Sequence, residues 1–367
     1  MHTAARMWRN QASPVLAFLL GGSLMGCAGT APPPSSPEPA LPEGWQVQAL
    51  PLPASLQAPL QASGAPDGAL RALVRDARTP PLRYRVIVVP GSGCAGMGPV
   101  AERYFAGLLH AQVLVLHKPG VHPMDATPAG ACPAGFVRRD ALGAWQAAAR
   151  AALLAHEATH PATLPTVLVG ISEGGELLPG LAPAVQGLAG MVLMASSGLD
   201  PREAGALQAQ RQGHAADWNA LGALQANPAA DDAVIAQGRS LRYWRDLWSW
   251  PLQQPLIRSP WPVLQAWGEA DELVPPAAYE RFAQQLSGAL RTGERTAPWC
   301  TLRVPGANHG LQAAPAAPPD AAQPGAAQPN AARPDAARPD GVQRVWAVLE
   351  QWARTPQGGL CAPLQAR

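Results

Sequence analysis

The sequence predicts an α/β fold: a mostly parallel central sheet flanked by helices, with a helical cap inserted late in the chain. Three observations carry this expectation. Short, continuous apolar runs rich in β-branched residues recur between residues 83 and 304, as strands buried on both faces require. Helical stretches separate those runs, the alternation that builds parallel sheets. One run, Thr166-Val-Leu-Val-Gly-Ile171, leads directly into a glycine-bracketed serine, Gly170-Ile171-Ser172-Glu173-Gly174.

Before the fold begins, residues 1–26 read as an export segment. Arg6 and Arg9 precede a short apolar run, Val15 to Leu24, followed by Met25-Gly26-Cys27; a basic start, an apolar stretch and small residues before a cut mark a cleaved signal. The run is shorter than the ~20 residues of a membrane span. This pattern resembles a bacterial lipoprotein signal, which implies that Cys27 becomes the lipidated first residue; an ordinary signal peptide is the alternative. In Gram-negative lipoproteins the next residue influences sorting, and Ala28 in place of Asp favours the outer membrane. Residues 27–44, rich in proline and serine, read as a stiff, unfolded tether.

The domain itself is expected over residues 45–354. Gln46 to Leu50 is a candidate edge strand. Arg83 to Val89 is the first strong strand and ends in Pro90-Gly91-Ser92-Gly93. A helix with proline in its first turn follows from Pro99 to His110. Val113 to Leu116 is the next strand, and Asp140 is placed to cap an alanine-rich helix reaching Ala158. Thr166 to Ile171, Met191 to Ala195, Val263 to Trp267 and Thr301 to Val304 continue the strand set. Arg344 to Arg354 closes it as a helix with Val345, Val348, Leu349 and Trp352 on one side. Residues 355–367 read as a tail.

Composition narrows the partners. Twenty-seven basic against 25 acidic residues leave a net charge of +2 in 367 residues. Such a balance gives no long-range field for phosphates, so nucleic-acid binding is disfavoured. The 42 prolines and 36 glycines would signal disorder in a less apolar chain, but 47% of the residues are hydrophobic. Many prolines fall in the tether and in residues 316–340, five tandem pentapeptides (AAPPD, AAQPG, AAQPN, AARPD, AARPD). Proline at every fifth position precludes a continuous helix, so this stretch reads as a disordered or polyproline-like insertion.

The chemistry starts at Ser172. A G-x-S-x-G segment between a buried strand and a helix is a nucleophile elbow, a turn so tight that the serine's neighbours must be small. A serine hydroxyl needs a base and an orienting acid to act as a nucleophile. Candidates follow the two late strands: Trp267-Gly-Glu-Ala-Asp271-Glu-Leu-Val-Pro275 and Pro305-Gly-Ala-Asn-His309-Gly310. With these three segments in the order Ser, Asp, His, residues 83–354 resemble the α/β-hydrolase superfamily. The resemblance implies Ser172 as nucleophile, His309 as base and Asp271 as the acid that orients the imidazole. Glu269 and Glu272 lie close to Asp271, and Asp200, after an earlier strand, is the alternative acid. The oxyanion hole then needs the backbone N–H of Glu173 and a second donor from the first loop, Ser92 or Gly93, where proline stands in place of the histidine common in relatives.

Between residues 199 and 260 the strand rhythm stops, where the superfamily commonly inserts a cap. Trp218, Trp244, Trp248 and Trp250 are placed there to line an apolar site or to bury the cap itself. Past Cys27, an even four cysteines in an exported chain imply two disulfides. Strand placement prefers Cys94–Cys132, both in loops at the carboxyl ends of neighbouring strands, and Cys300–Cys361 at the opposite edge. His117 and His122 near Cys132, and His156 and His160 on one helix, match no metal-ligand spacing, so no metal and no cofactor are expected. The sequence thus points to a lipid-anchored serine hydrolase of the cell envelope, acting on a small acyl substrate and facing the periplasm or the cell surface. Carboxylic esters lead, with a peptidase or amidase, or a non-catalytic binding protein of the same fold, as alternatives.

Overall fold

The computed structural model describes residues 40–61, 68–128, 130–313 and 341–365. The export segment, Cys27, residues 28–39 and the pentapeptide stretch lie outside them. Along the described chain run strands β1 (Trp45–Pro51), β2 (Ala69–Arg75), β3 (Tyr84–Val89), β4 (Ala111–Leu116), β5 (Thr166–Ile171) and β6 (Leu188–Met194). A short hairpin, β7 (Ile235–Ala236) and β8 (Arg239–Ser240), precedes β9 (Val263–Gly268) and β10 (Trp299–Val304).

Eight of these strands form one sheet in the spatial order β1-β2-β4-β3-β5-β6-β9-β10. The β1–β2 and β2–β4 pairs are antiparallel and every later pair is parallel. Strand β4 lies on one side of β3 and β5 on the other. A crevice therefore opens at the carboxyl ends of β3 and β5, where such sheets bind ligands.

Period-two side-chain alternation explains why both faces are covered. On β3, Ile87 and Val89 join one apolar cluster while Val86 and Val88 join the other. The first cluster packs helices α4 (Leu142–Thr159), α8 (Leu241–Ser249), α9 (Gln253–Arg258) and α10 (Pro276–Thr292) through Trp145, Leu247, Leu256 and Phe282. The second packs α2 (Gly98–Tyr104) and α11 (Gly341–Trp352) through Ala101, Trp346 and Trp352, with Phe105 just past α2. Helices α1 (Ala54–Gln61), α3 (Ala134–Arg139), α5 (Leu178–Leu181), α6 (Pro201–Arg211), α7 (Ala215–Ala226) and α12 (Ala362–Gln365) are the other α-helices of the described residues. This is an α/β-hydrolase fold, with α6, α7, the β7–β8 hairpin, α8 and α9 inserted between β6 and β9. Among the described residues no helix is long and apolar enough to cross a membrane.

Several local expectations change. Asp140 does not cap the long helix: α4 starts at Leu142 with Ala141 at the cap position, and the Gly143 N–H donates to Asp246 of α8 at 2.8 Å. The insertion thus supplies the cap from outside. The helix expected from Pro99 to His110 ends at Tyr104; past its end Gly107 lies against α11, where a Cβ would sit 2.6 Å from the Gln343 side-chain amide oxygen. Strand β2 carries Arg71 and Arg75 and was not expected; Arg75 is buried, donating to the carbonyl of Leu108 at 2.6 Å and lying over Trp45. Within the expected tail, Leu360 is fully buried.

Both cysteine pairs are bridged, Cys94 to Cys132 and Cys300 to Cys361, with Cα atoms 5.7 and 5.6 Å apart. Cys300 lies within β10 rather than before it. Cys300–Cys361 spans 61 positions of chain, and a loop of that length implies about 4 kcal/mol from restricting the unfolded state. The double variant Cys300→Ser/Cys361→Ser is therefore expected to lose stability on that scale in urea denaturation. A loss below 1 kcal/mol would contradict a structural bridge.

Candidate active site

Ser172 occupies the turn between β5 and a 3₁₀ segment, Ser172–Leu177, with φ of 52°. A left-handed backbone is costly for a side chain with a Cβ and persists only where its surroundings enforce it. Here two glycines do so. A Cβ on Gly170 would fall 2.4 Å from the Gly175 Cα, and one on Gly174 would fall 2.1 Å from the Val89 carbonyl oxygen. The turn closes only with both left bare. The expected helix after the serine begins as this tighter 3₁₀ segment because the elbow must turn within a few residues.

His309 sits in the loop after β10, and its Nε2 lies 3.0 Å from the Ser172 hydroxyl. Its Nδ1 faces Asp271, 2.9 Å from Oδ2 and 3.1 Å from Oδ1. An ionised carboxylate can only accept, so Nδ1 carries the proton and Nε2 is left to accept one from the serine. Asp271 is 1% exposed. Burial works against its charge, but hydrogen bonds from His309 and the Val274 N–H, with one from Tyr279, outweigh it and hold the carboxyl below its usual range. The Leu273 and Val274 N–H groups reach Oδ1 at 2.8 Å each, and the Tyr279 hydroxyl reaches Oδ2 at 2.7 Å.

The loops carrying these groups are stitched together. A Cβ on Gly268 would lie 2.2 Å from the Ala307 carbonyl, so a glycine there lets the acid and histidine loops touch. The Ala270 N–H donates to that carbonyl, and the His309 N–H donates to Glu272. From α6, Arg211 donates to the carbonyls of Asp271 and Glu272. Glu269 pairs with Arg303. Neither glutamate touches the imidazole. Asp200, the alternative acid, is elsewhere: its Oδ1 accepts from the Leu252 and Gln253 N–H groups and fixes the start of α9.

The first loop approaches Ser172 through Gly91, where a Cβ would be 3.3 Å from the Ser172 Cβ. Ser92 follows it, and Gly93 has φ of 95°. No protein acceptor among the described residues takes the Ser92 or Gly93 N–H. Beyond them the loop is fastened by Cys94–Cys132, by Gly96 and Gly98 N–H bonds to Asp125 and Pro123, and by the Met97 N–H, which donates to His117 Nε2 at 3.0 Å. Burial pushes His117 down to about 4, so it is a neutral acceptor at pH 7. His156 stacks on His160 at 4.6 Å and is likewise pushed down to about 4, by burial first and then by His160 and Arg85. Among the described residues no three His, Cys, Asp or Glu side chains gather as a metal site requires.

Glu173 combines two features. Its backbone follows the elbow, while its carboxylate is buried against Lys118 at 3.0 Å. Burial opposes that charge, but Lys118 and Arg239 outweigh it and keep the carboxyl below its usual range. Nearby, burial and the Glu173 charge push Glu176 well above the usual carboxylate range.

In the insertion, Trp218 stacks on Trp248 at 4.6 Å, Trp244 meets Trp218 edge-on, and the Trp250 indole donates to the Glu176 carbonyl. Trp218, Trp248 and Trp250 line a cleft of about 480 Å³ with Asp200, Arg202 and Asn219; Ser172 and His309 do not line it. Tyr279, Gly268, Arg211 and the Lys118 cluster were not singled out from sequence. Tyr279 carried a signal, eight residues after Asp271 on the helix that the acid loop enters.

No protein-family model matches the chain, and no curated protein matches its sequence. Solved structures resemble it at low identity. Est1E from Butyrivibrio proteoclasticus is 16% identical, covering 66% of this chain and 87% of its own, with a TM-score of 0.42. The esterase domain of a Rhodothermus marinus protein is 16% identical over 84% of this chain and 98% of its own, with a TM-score of 0.42. A chain from Agrobacterium vitis S4 is 17% identical over 84% and 98%, with a TM-score of 0.49. At such identity and overlap, their activities do not transfer to this chain.

Removing the Tyr279 hydroxyl tests the carboxylate shell. A hydrogen bond to a charged group contributes about 1.5–3 kcal/mol, so Tyr279→Phe should be destabilised on that scale at pH 7. An acid held below its usual value stabilises the fold above that value and loses the contribution as pH falls through the folded-state pKa. The gap between Tyr279→Phe and the parent should therefore hold on acidification until the usual carboxylate range is reached and narrow below it. Parallel thermal unfolding curves check it, and a pH-independent gap would contradict the bond to an ionised Asp271.

Proposed function

We propose that the chain is a serine hydrolase that cleaves carboxylic esters of small acyl substrates through an acyl-enzyme. One observation carries this reading: a continuous relay from the Ser172 hydroxyl to His309 Nε2 at 3.0 Å and from Nδ1 to buried Asp271 at 2.9 Å. In the first half-reaction Ser172 Oγ bonds to the ester carbonyl carbon as its proton passes to His309 Nε2. The carbonyl π pair moves onto oxygen, and that oxyanion is held by the Glu173 N–H and by Ser92 or Gly93. Collapse breaks the bond to the alcohol oxygen, which takes the proton from Nε2. Water then adds to the acyl carbon, giving its proton to Nε2. A second collapse releases the acid and returns the proton to Ser172. Asp271 stays ionised throughout and stabilises the imidazolium.

The buried acids favour esters over peptides as substrates. An aminopeptidase needs a free acidic clamp for the substrate amine, whereas Glu173 here is spent on Lys118, and Asp140 on Lys118 and Arg239. The same proposal has the chain exported, cut before Cys27, lipidated there and held at the cell envelope, in the outer membrane, facing the periplasm or cell surface. Two disulfides support an oxidising compartment.

Two experiments test these proposals. A fluorophosphonate probe should label the parent and not Ser172→Ala, and nitrophenyl ester turnover should fall by at least about 10³-fold in the variant. Labelling that survives the substitution rejects the mechanism. Aminoacyl anilides turned over faster than esters would move the assignment to peptidases. Separately, Cys27→Ser should shift the protein from the membrane to the soluble fraction of the envelope; unchanged membrane recovery rejects the lipid anchor.

A further inference from the structure

The chain's single lysine, Lys118, is buried after β4 among charges drawn from four separate segments. Its ammonium lies 2.9 Å from Asp140 Oδ1, 3.0 Å from Glu173 Oε2 and 4.5 Å from the centre of the Trp145 ring. The fourth charge comes from the insertion. Arg239 bonds to Asp140 through Nη1, and its Nη2 lies 4.0 Å from Glu173 Oε2. The side chains of Lys118, Asp140 and Glu173 are 3–5% exposed and that of Arg239 is 20% exposed.

Arg239 is delivered by a rigid device. Strands β7 and β8 pair Ala236 with Arg239, and the two residues between them, Gln237 and Gly238, both have positive φ, 47° and 75°. That is the tight hairpin turn whose twist matches its strands. The Trp244 indole pins the hairpin by donating to the Ala236 carbonyl at 2.8 Å, and the Tyr243 ring lies under the guanidinium at 4.6 Å.

Buried charges must balance. Lys118 and Arg239 match Asp140 and Glu173 two to two, while burial and the Glu173 charge push the Glu176 carboxyl well above the usual carboxylate range. Take away Arg239 and Lys118 faces two carboxylates, Asp140 and Glu173, which leaves one negative charge uncompensated beside the backbone N–H that the proposed reaction uses for the oxyanion. A developing negative charge close to it is then disfavoured, while a neutral ester ground state is not.

We infer that Arg239 is a positioning residue for the proposed reaction: by completing the buried charge balance around Glu173, it lets the inserted hairpin set turnover at Ser172. The inference rests on the reading of Ser172 as nucleophile and of the Glu173 N–H as oxyanion donor.

The test uses the full chain and three forms: parent, Arg239→Gln and Arg239→Gln/Asp140→Asn. The double variant restores neutrality, with Lys118 facing Glu173 alone. Read out are kcat and KM on a nitrophenyl ester and inhibition by a trifluoromethyl ketone, whose adduct carries the oxyanion. Arg239→Gln is expected to lower kcat about tenfold with KM within twofold, and to weaken the ketone by the same factor. The double variant is expected to recover most of the lost kcat. A single variant within twofold of the parent, equal changes in kcat and KM, or a double variant no better than the single one overturns the inference. Should Arg239→Gln fail to fold, the charge-balanced double variant decides alone: kcat within threefold of the parent supports the inference, and a larger loss overturns it. Failure of the underlying reading shows separately, as a parent whose turnover does not depend on Ser172.

Discussion

Everything at this site depends on one backbone constraint, the left-handed turn that holds Ser172 above the carboxyl end of β5. A serine at φ of 52° is a conformation that the chain adopts only under force. The force is packing: Gly170 and Gly174 bring the turn so close to Gly175 and to the end of β3 that no relaxed alternative fits. Buried β3 and β5, paired from Arg85–Thr166 to Val89–Gly170, hold that close approach. The sheet is thus more than a platform for the serine. It stores the strain that aims the hydroxyl.

Around that fixed point the loops do the assembling, and each is tied down twice. The first loop is fastened by Cys94–Cys132 and by the His117 acceptor. The acid loop is held from α6 by Arg211 and from α10 by Tyr279. Loops are ordinarily the mobile parts of a fold, and a relay with links near 3 Å tolerates little movement. The cross-ties resolve that conflict without placing the reactive groups on strands.

Much of this was legible in the chain, for a physical reason. Strand β5, the glycines around Ser172, and the segments bearing Asp271 and His309 are local signals, each written in contiguous residues. What escaped reading is non-local. Arg75 and Arg71 made β2 look unlike a buried strand, because the sequence does not reveal that the carbonyls at the end of α2 and the Trp45 face would receive Arg75. Asp140 looked like a helix cap because it precedes α4 at the right distance; its carboxylate is instead taken by Lys118 and Arg239, and Asp246, from more than a hundred positions away, supplies the hydrogen bond. Asp200 resembled an acid for the same local reason and serves α9. Charged residues that follow strands are ambiguous until their partners are known.

That ambiguity also explains why the insertion matters more than its position suggests. A cap that merely covered the pocket would need apolar contact alone, and Trp244 and Leu247 supply it. This one in addition sends Asp246 to the start of α4 and Arg239 toward Glu173, the residue after Ser172. Burying two ion pairs gains little stability over an apolar core of equal volume, since desolvation offsets most of the attraction. Leaving one of the four charges unmatched, by contrast, is costly. A cluster of that kind ties the insertion to the elbow: Arg239 of the hairpin bonds to Asp140 and lies 4.0 Å from Glu173. Stability alone would be served as well by leucines; what the charges add is a directional link between the two parts, with Asp140 and Glu173 on one side and Arg239 on the other.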